Sequence, residues 1–587
     1  MPTLHPPPAP GAATRRTSMS ARRKRWNLLA PAPPEFVQAT GLHPLLAHLL
    51  YQRDQRDPAA IARFFAADMK TGLHDPLLLR GMPEASTRIV EAVQAGEPMA
   101  VYGDFDTDGV TAVTLLVQAL KAMGGDIRPY IPHRTREGYG LNQQAVKQLA
   151  EEHVRLLITV DCGIGNVAEV AEANRLGMDV IVTDHHQPPA ILPAALAIIN
   201  PKQAGCAYPY KQLVGVGIAY KLVHALVKRG LSLGGLRGRD LLDVVALGTV
   251  ADMGPLTGEN RVLVQAGLEA IHTTTRPGLK ALIAVAGRTP GIVTSSDIGY
   301  LLAPRINAAG RLDDAVRAYQ LLLAEDDATA KTLATELDQT NRKRQELTKQ
   351  VQVAAKAQAE TTGAHLQRIV MLVGTDYAAG VVGLVAGKLA EEWGRPVLLM
   401  EQGATESRGS ARSVSGFNII DALTTCKDLF VRFGGHSAAA GFTINNANLP
   451  ELETRLLALA AQQLTDDMLQ PTLTLDAQVG LDDLGWELLA ELQRLEPFGQ
   501  ANPQPTLMSA GVQAVDARTR GANGEHLALR LRAGSSGATH EAIAFRLGHL
   551  ADALRRHPRI DVAYTLEADE WNGERRLQIK LKDFRRA

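Results

Sequence analysis

The chain reads as an α/β protein: a parallel-sheet domain, a second α/β unit reached by a long helix, and a terminal β-barrel. Three observations predict this. From Pro98 onward short apolar runs alternate with amphipathic stretches. A run rich in Glu, Lys, Arg and Gln extends from about Asp326 to Thr361 with no glycine until Gly363. From about Leu473 the pattern changes to short alternating segments. Taken in order, MAVYGD is a strand, and VTAVTLLVQALKAM is a helix stopped by Gly124-Gly125. DIRPYI, VRLLITVD and MDVIVTD are further strands, separated by the helices NQQAVKQLAEEH and NVAEVAEANRLG. Continuously apolar strands in a βαβ rhythm imply a parallel sheet covered on both faces, with ligands beyond the strands' carboxyl ends. RIVMLVG opens the second α/β unit, which runs to about Ile444. HLALRLRAG, HEAIAFRL, RIDVAYTLEA and RRLQIKLKDF supply the small barrel.

Composition narrows the function. At ~150 residues per domain, 587 residues make about four units. Lys and Arg total 62, as do Asp and Glu, so a wholly basic nucleic-acid binder is excluded. Aromatics are only 4% of the chain, so any base-stacking platform is thin. Cys162, Cys206 and Cys426 lie far apart with no C-x-x-C pair, which argues against a disulfide framework or thiolate zinc site and fits a cytoplasmic protein. No uncharged apolar stretch reaches the ~18 residues a membrane span needs. Residues 1–34 lack acidic residues and mix prolines with arginines, as in a disordered basic tail; both Met1 and Met19 stand open as the start.

The chemistry gathers at strand ends. The first strand runs into Asp104, Asp106 and Asp108, the third ends in Asp161, and the fourth in Asp184-His185-His186. Asp252 follows the apolar helix LLDVVALG. So many carboxylates in one crevice repel one another unless cations neutralise them. Oxygen and imidazole donors suit Mn²⁺ or Mg²⁺ before zinc. Two such ions activate water for in-line attack on phosphorus. The bland alternatives are helix caps for each Asp and core packing for the His pair. An EF-hand fails because its twelfth position is Leu115. Gly215-Val216-Gly217 follows no strand and reads as helix-packing glycine rather than a dinucleotide site, and no P-loop occurs.

The motifs YGDFDTDG, TVDCG, TDHH and GTVADMGPLTGENR resemble the DHH phosphoesterase superfamily. With RINAAGRL, GSARS, GGHSAAAG and LEPFGQANP, the chain is similar to the RecJ single-strand-specific exonucleases over about residues 60–587. The resemblance implies a DHH catalytic domain over 35–325 and a connecting helix over 326–363. It further implies a DHH-associated nucleic-acid-binding domain over 364–465 and an OB-fold over 466–587. Asp106, Asp108, Asp161, His185 and Asp252 would hold two divalent cations, Mn²⁺ or Mg²⁺, with Asp104 and His186 as catalytic residues beside them. Arg305, Asn307 and Arg311 of RINAAGRL would meet phosphate, with Gly310 permitting close backbone approach, as would Ser410, Arg412, Gly434, Gly435 and His436. Arg134, Ser410 and Arg412 would hold a 5′-terminal phosphate, against the alternative of interdomain ion pairs.

The implied activity is 5′-to-3′ degradation of single-stranded DNA to nucleoside 5′-monophosphates in recombination and repair. A helicase and a single-strand-binding protein are the implied partners, and a monomer the implied state. Residues 505–587 carry 14 Lys and Arg against 10 Asp and Glu, a modest bias toward a phosphate backbone. Phe545, Tyr564, Trp571 and Phe584 are the candidate stackers there. DHH phosphodiesterases of small nucleotides lack the barrel, and a decayed scaffold would lack ligands present here. One departure stands out: Tyr377-Ala378 replaces an expected Trp-His pair.

Overall fold

The computed structural model describes residues 24–587 apart from 67, 135, 534–536 and 572–573. One unit spans residues 57–464 and takes in 495–503. Its centre is a parallel sheet of β1 (Met99–Gly103), β2 (Ile127–Tyr130), β3 (Leu156–Val160), β4 (Asp179–Thr183) and β5 (Ala197–Ile199). The order is β2-β1-β3-β4-β5, so the topological switch falls between β1 and β3. β1 and β3 are buried at every position, as their unbroken apolar sequences require. Pro129 sits on β2 at the sheet edge, where a missing N–H breaks no ladder.

Helix α1 (Thr107–Ala122) follows β1 directly and is buried almost all round. Asp106 caps it by accepting from the N–H groups of Asp108 (2.9 Å) and Gly109 (3.1 Å). A Cβ at Gly109 would stand 2.5 Å from the Asp104 carbonyl oxygen, so this turn admits only glycine. The helix stops where expected, at Gly124 with φ +89°. Helices α2 (Gly215–Lys228) and α3 (Leu242–Ala251) pack against α1. Each buried Val, Leu or Ile there stabilises the sheet by about 1.5–3 kcal/mol.

RINAAGRL lies in helix α4 (Ala303–Leu312). The long helix α5 (Asp327–Thr362) is capped by Asp326 and ended by Gly363 at φ +72°. It is less solvated than its sequence suggests. Ala330, Leu333, Ala334 and Leu337 join the core around the parallel sheet, and Val351, Ala355 and Ala359 join the next one. That second core takes in β6 (Val370–Gly374), α6 (Ala379–Trp393) and β7 (Val397–Gln402), and the sheet continues through β8 (Glu406–Arg412), β9 (Phe430–His436) and β10 (Ala439–Asn445). Their sheet order is β9-β10-β8-β7-β6, with only β6 and β7 parallel.

The other unit combines residues before 57 with 465–494 and 504–587. β11 (Leu507–Arg520), β12 (His526–Arg532), β13 (Thr539–Ala544), β14 (Arg559–Trp571) and β15 (Glu574–Arg586) close a five-stranded barrel through β11–β14 pairing. The sequence reading passed over β11, whose alternation is broken by bulges near Gly511 and Val515. The expected disordered tail needs correction from residue 25 onward; residues 1–23 lie outside the described residues. Arg25–Leu28 pairs in parallel with Thr472–Leu475, and Trp26 Nε1 donates to Asp583 Oδ2 at 2.9 Å. Of the candidate stackers, Tyr564 and Phe584 are core residues at 0% and 1% exposure, and the side chain of Trp571 lies outside the described residues. Phe545 is 47% exposed, with His526 edge-on at 5.1 Å and Lys580 Nζ 5.7 Å from its ring. Among the described residues no helix is long and apolar enough to cross a membrane.

Candidate active site

The parallel sheet delivers its acidic strand ends to one crevice at the switch point. Three overlapping groups each bring donor atoms within 4.8 Å of one another: Asp104, Asp106 and Asp161; Asp161, His185 and His186; and Asp108, His185 and Asp252. His185 Nε2 lies 3.0 Å from Asp161 Oδ1, 3.6 Å from Asp252 Oδ2 and 3.8 Å from Asp108 Oδ2. Every strand-end residue singled out from the sequence is therefore brought together. Asp161 adopts φ +60°, a strained conformation that aspartate tolerates better than most residues.

Asp106 and Asp108 are helix caps as well as site residues. Asp108 accepts from the N–H groups of Gly215 (2.6 Å) and Val216 (2.8 Å), so the N-terminus of α2 points its dipole into the acidic cluster. A Cβ on Gly215 would stand 2.6 Å from Asp161 Cβ. The Gly-Val-Gly segment is thus a close-packing device, as its sequence context suggests.

Burial, followed by the neighbouring carboxylates, pushes Asp104, Asp108 and Asp161 well above the usual carboxylate range. The same causes raise Asp252 to about 7. Burial, then the charge of His186, lowers His185 to about 3, which leaves a neutral imidazole able to ligate. His186 is also pulled down by burial, but Asp184 reverses this and raises it. Its Nδ1 lies 2.8 Å from Asp184 Oδ1, and its charge holds Asp184 below the usual range against burial. Asp104 Oδ1, Asp161 Oδ1 and His185 Nε2 are buried without a hydrogen-bond partner. Orphaned acceptors of this kind, aimed into one space, fit a divalent cation; their oxygen and imidazole chemistry suits Mn²⁺ or Mg²⁺.

Beside Asp104 and Asp106 stands a group of guanidiniums. Burial, then the charges of Arg134, Arg344 and Arg412, depresses Arg311 to about 10. Arg134 lies over the Phe105 ring at 4.9 Å. Arg412 Nη1 donates to Ser410 Oγ at 2.7 Å, and a Cβ on Gly383 would crowd both side chains at 3.0 Å. Among the described residues no carboxylate pairs with Arg134, Arg311, Arg344 or Arg412, whereas Arg342 on the same helix as Arg344 is paired with Asp338. Four guanidiniums gathered with no carboxylate in ion-pair contact have the donor chemistry that suits a phosphate.

Other expected phosphate contacts are placed differently. Arg305 is bound to Asp338 at 2.9 Å and to the Leu301 carbonyl at 2.7 Å, so it joins α4 to α5 rather than facing the pocket. Asn307 accepts from the N–H and hydroxyl of Thr107 and so braces the aspartate loop. A Cβ on Gly310 would collide with the Phe105 carbonyl. His436 lies 6.3 Å from His186, ring to ring, at the tip of β9. Gly435, at φ +152°, is paired with Ala440 just before the hairpin turn, and a Cβ there would collide with the Ala439 carbonyl oxygen, while Gly434 faces open space. Tyr377 is buried and donates to Gln358 Oε1, so it anchors α6 to α5 instead of reaching the site.

The sequence reading missed Arg344, Lys202 and Tyr139, and gave Asp184 no role. Tyr139 stands half-exposed between Gly138 (φ +86°) and Gly140 (φ +80°), with its Oη 3.1 Å from His186 Nδ1. The two flanking glycines of EGYG were the available signal.

Three sequence families match parts of the chain: the DHH family N-terminal domain over residues 98–249, the DHHA1 domain over 365–466, and the RecJ OB domain over 475–583. The single-stranded-DNA-specific exonuclease RecJ of Bacillus subtilis is 38% identical over 572 residues, covering 96% of this chain and 71% of that protein. The Escherichia coli protein of the same name is 33% identical over 589 residues, covering 97% of this chain and 99% of its own. Among solved structures, RecJ in complex with Mn²⁺ from Thermus thermophilus superposes with a TM-score of 0.81 at 32% identity. That match covers 96% of this chain and 80% of the other.

Proposed function

The chain belongs to the RecJ family, and from that premise we propose that it is a metal-dependent exonuclease that shortens single-stranded DNA from the 5′ end, releasing nucleoside 5′-monophosphates. The observation that carries this reading is the unpaired guanidinium pocket lying against the acidic, cation-fitting crevice. A terminal phosphate seated by Arg134, Arg311, Arg344, Arg412 and Ser410 sets the next phosphodiester over the crevice. An internal stretch of strand offers no terminal dianion to that pocket, so the geometry selects ends.

Asp106, Asp108, Asp161, His185 and Asp252 would hold two cations, which when bound supply an activated water and neutralise charge developing on the phosphoryl oxygens. Asp104 borders the crevice on the pocket side. His186, oriented by Asp184 and kept readily protonated, is placed to deliver a proton to the leaving 3′-oxygen of the terminal nucleotide. His436 from the β9–β10 hairpin flanks it. Gly434 and Gly435 let that hairpin approach the strand closely.

Arg412→Ala should slow 5′-phosphorylated strands far more than 5′-hydroxyl strands, by about 10- to 100-fold, the scale of one charge-assisted contact. Equal slowing of both ends in a folded variant would discard the pocket assignment. In the barrel, Phe545→Ala should weaken binding to a long single strand by about 1–3 kcal/mol, the value of one stacked base. Anisotropy titrations at fixed salt check this, and unchanged binding would place the strand elsewhere. The reading also assigns the protein to the cytoplasm, working as a monomer in recombination and repair beside a helicase and a single-strand-binding protein.

A further inference from the structure

Lys202 lies outside every motif that marks the site. β5, the last strand of the parallel sheet, runs into Asn200-Pro201-Lys202. Asn200 Nδ2 donates to the His186 carbonyl oxygen at 2.9 Å, and the Lys202 N–H donates to Asn200 Oδ1 at 2.8 Å. This short loop is therefore tied to the His185-His186 turn, at the carboxyl end of the strand beside β4. The lysine is half-buried, and among the described residues no carboxylate lies within ion-pair distance of its ammonium. Its charge acts on Asp252, Asp184 and His185, whereas Arg134 acts on Asp104 and Asp106. Arg134 follows β2 and Lys202 follows β5, the two opposite edges of the sheet, so the two kinds of cation come to the crevice from opposite sides.

Resting on the exonuclease reading above, we propose that Lys202 is a substrate-contacting residue that binds the phosphate one linkage 3′ of the scissile bond. The arginine pocket takes the terminal phosphate on the Asp104–Asp106 side. The scissile phosphate lies over the crevice, and the strand leaves past Asp252, where a lone ammonium meets the next phosphate. A compact point charge suits this place, because the contact must be released and remade after each nucleotide. Burial draws the ammonium below the usual lysine range while Asp252 and Asp184 draw it back up.

The test combines Lys202→Met, which keeps the apolar stem, and Lys202→Arg with strands carrying one uncharged methylphosphonate linkage. Single-turnover release of the first nucleotide is followed in Mn²⁺. With wild-type protein, a methylphosphonate at the second linkage should slow release about 10-fold, one charge-assisted contact. Lys202→Met should slow the unmodified strand by a similar factor, show little further effect of that methylphosphonate, and regain much of the loss as Lys202→Arg. Independent, multiplying effects of mutation and modification would overturn the contact. Uniform slowing at every linkage, with a lower Mn²⁺ midpoint, would also overturn it and leave Lys202 as a charge that merely offsets Asp252. Failure of the exonuclease reading shows differently: wild-type protein would give no chelator-sensitive degradation of the unmodified strand, and this inference would fall with it.

Discussion

Asp161→Asn should yield a folded protein that binds single strands normally but no longer cuts them. Asp161 belongs to two of the three candidate ligand groups, and its Oδ1 is buried without a partner, 3.0 Å from His185 Nε2. No other carboxylate in the crevice is so placed. Loss of a residue that merely supports a ligand costs about 10- to 100-fold, so loss of a shared ligand should exceed that range. The amide is the better substitute than alanine for a physical reason. At φ +60°, asparagine is among the few residues that tolerate the backbone, while alanine adds about 1 kcal/mol of strain unrelated to the chemistry. Strand binding should persist, because the proposed phosphate contacts lie in the guanidinium pocket and on the barrel. Cleavage assays with end-labelled strand, beside anisotropy and thermal melts, check the three parts separately. Activity within a few-fold of the parent would remove Asp161 from the site.

How far the sequence discloses such a site depends on how local its signals are. β1, β3 and β4 announce themselves by unbroken apolar runs, and their terminal acids follow because parallel strands share one end. Gly124 and Gly363 mark helix ends for local reasons of backbone conformation. β5 is only three residues long, so neither it nor Lys202 stands out. Arg342 and Arg344 are indistinguishable in the string NRKRQ. One is exposed and paired with Asp338, while the other stands near enough to Arg311 for its charge to act there. Arg305 and Arg311 make the same point within one motif. Arg305 is taken by Asp338, 33 positions away, and nothing in RINAAGRL foretells that pairing. Charge pattern identifies candidates, and tertiary packing decides which of them remain free.

The metal-free protein should lose stability as pH rises from about 4 toward 7, and added Mn²⁺ should reverse the loss. Asp252 has an unfolded-state value near 3.8 and a folded-state value of about 7, and Asp104, Asp108 and Asp161 are displaced in the same direction. The folded protein therefore holds these protons more tightly than the unfolded chain. For an acid raised in this way, the stabilising contribution is complete below the unfolded value and disappears as pH passes through the folded one. At about 1.4 kcal/mol per unit, Asp252 alone accounts for a few kcal/mol, reduced by its partial contact with solvent. Asp252→Asn lacks Asp252's share of this dependence and keeps that of the other three carboxylates. Melts in chelator should show the variant matching the parent near pH 4 and exceeding it by several degrees at pH 8. Other carboxylates, such as Asp75 and Asp240, titrate alike in both proteins, so the difference between the two curves isolates the site. With Mn²⁺ the order should invert, since ions bind only the deprotonated, folded cluster and their stabilisation grows with pH. A difference curve that is flat, or that falls with pH, would mean the carboxylates are already balanced by protein cations and have no need of metal.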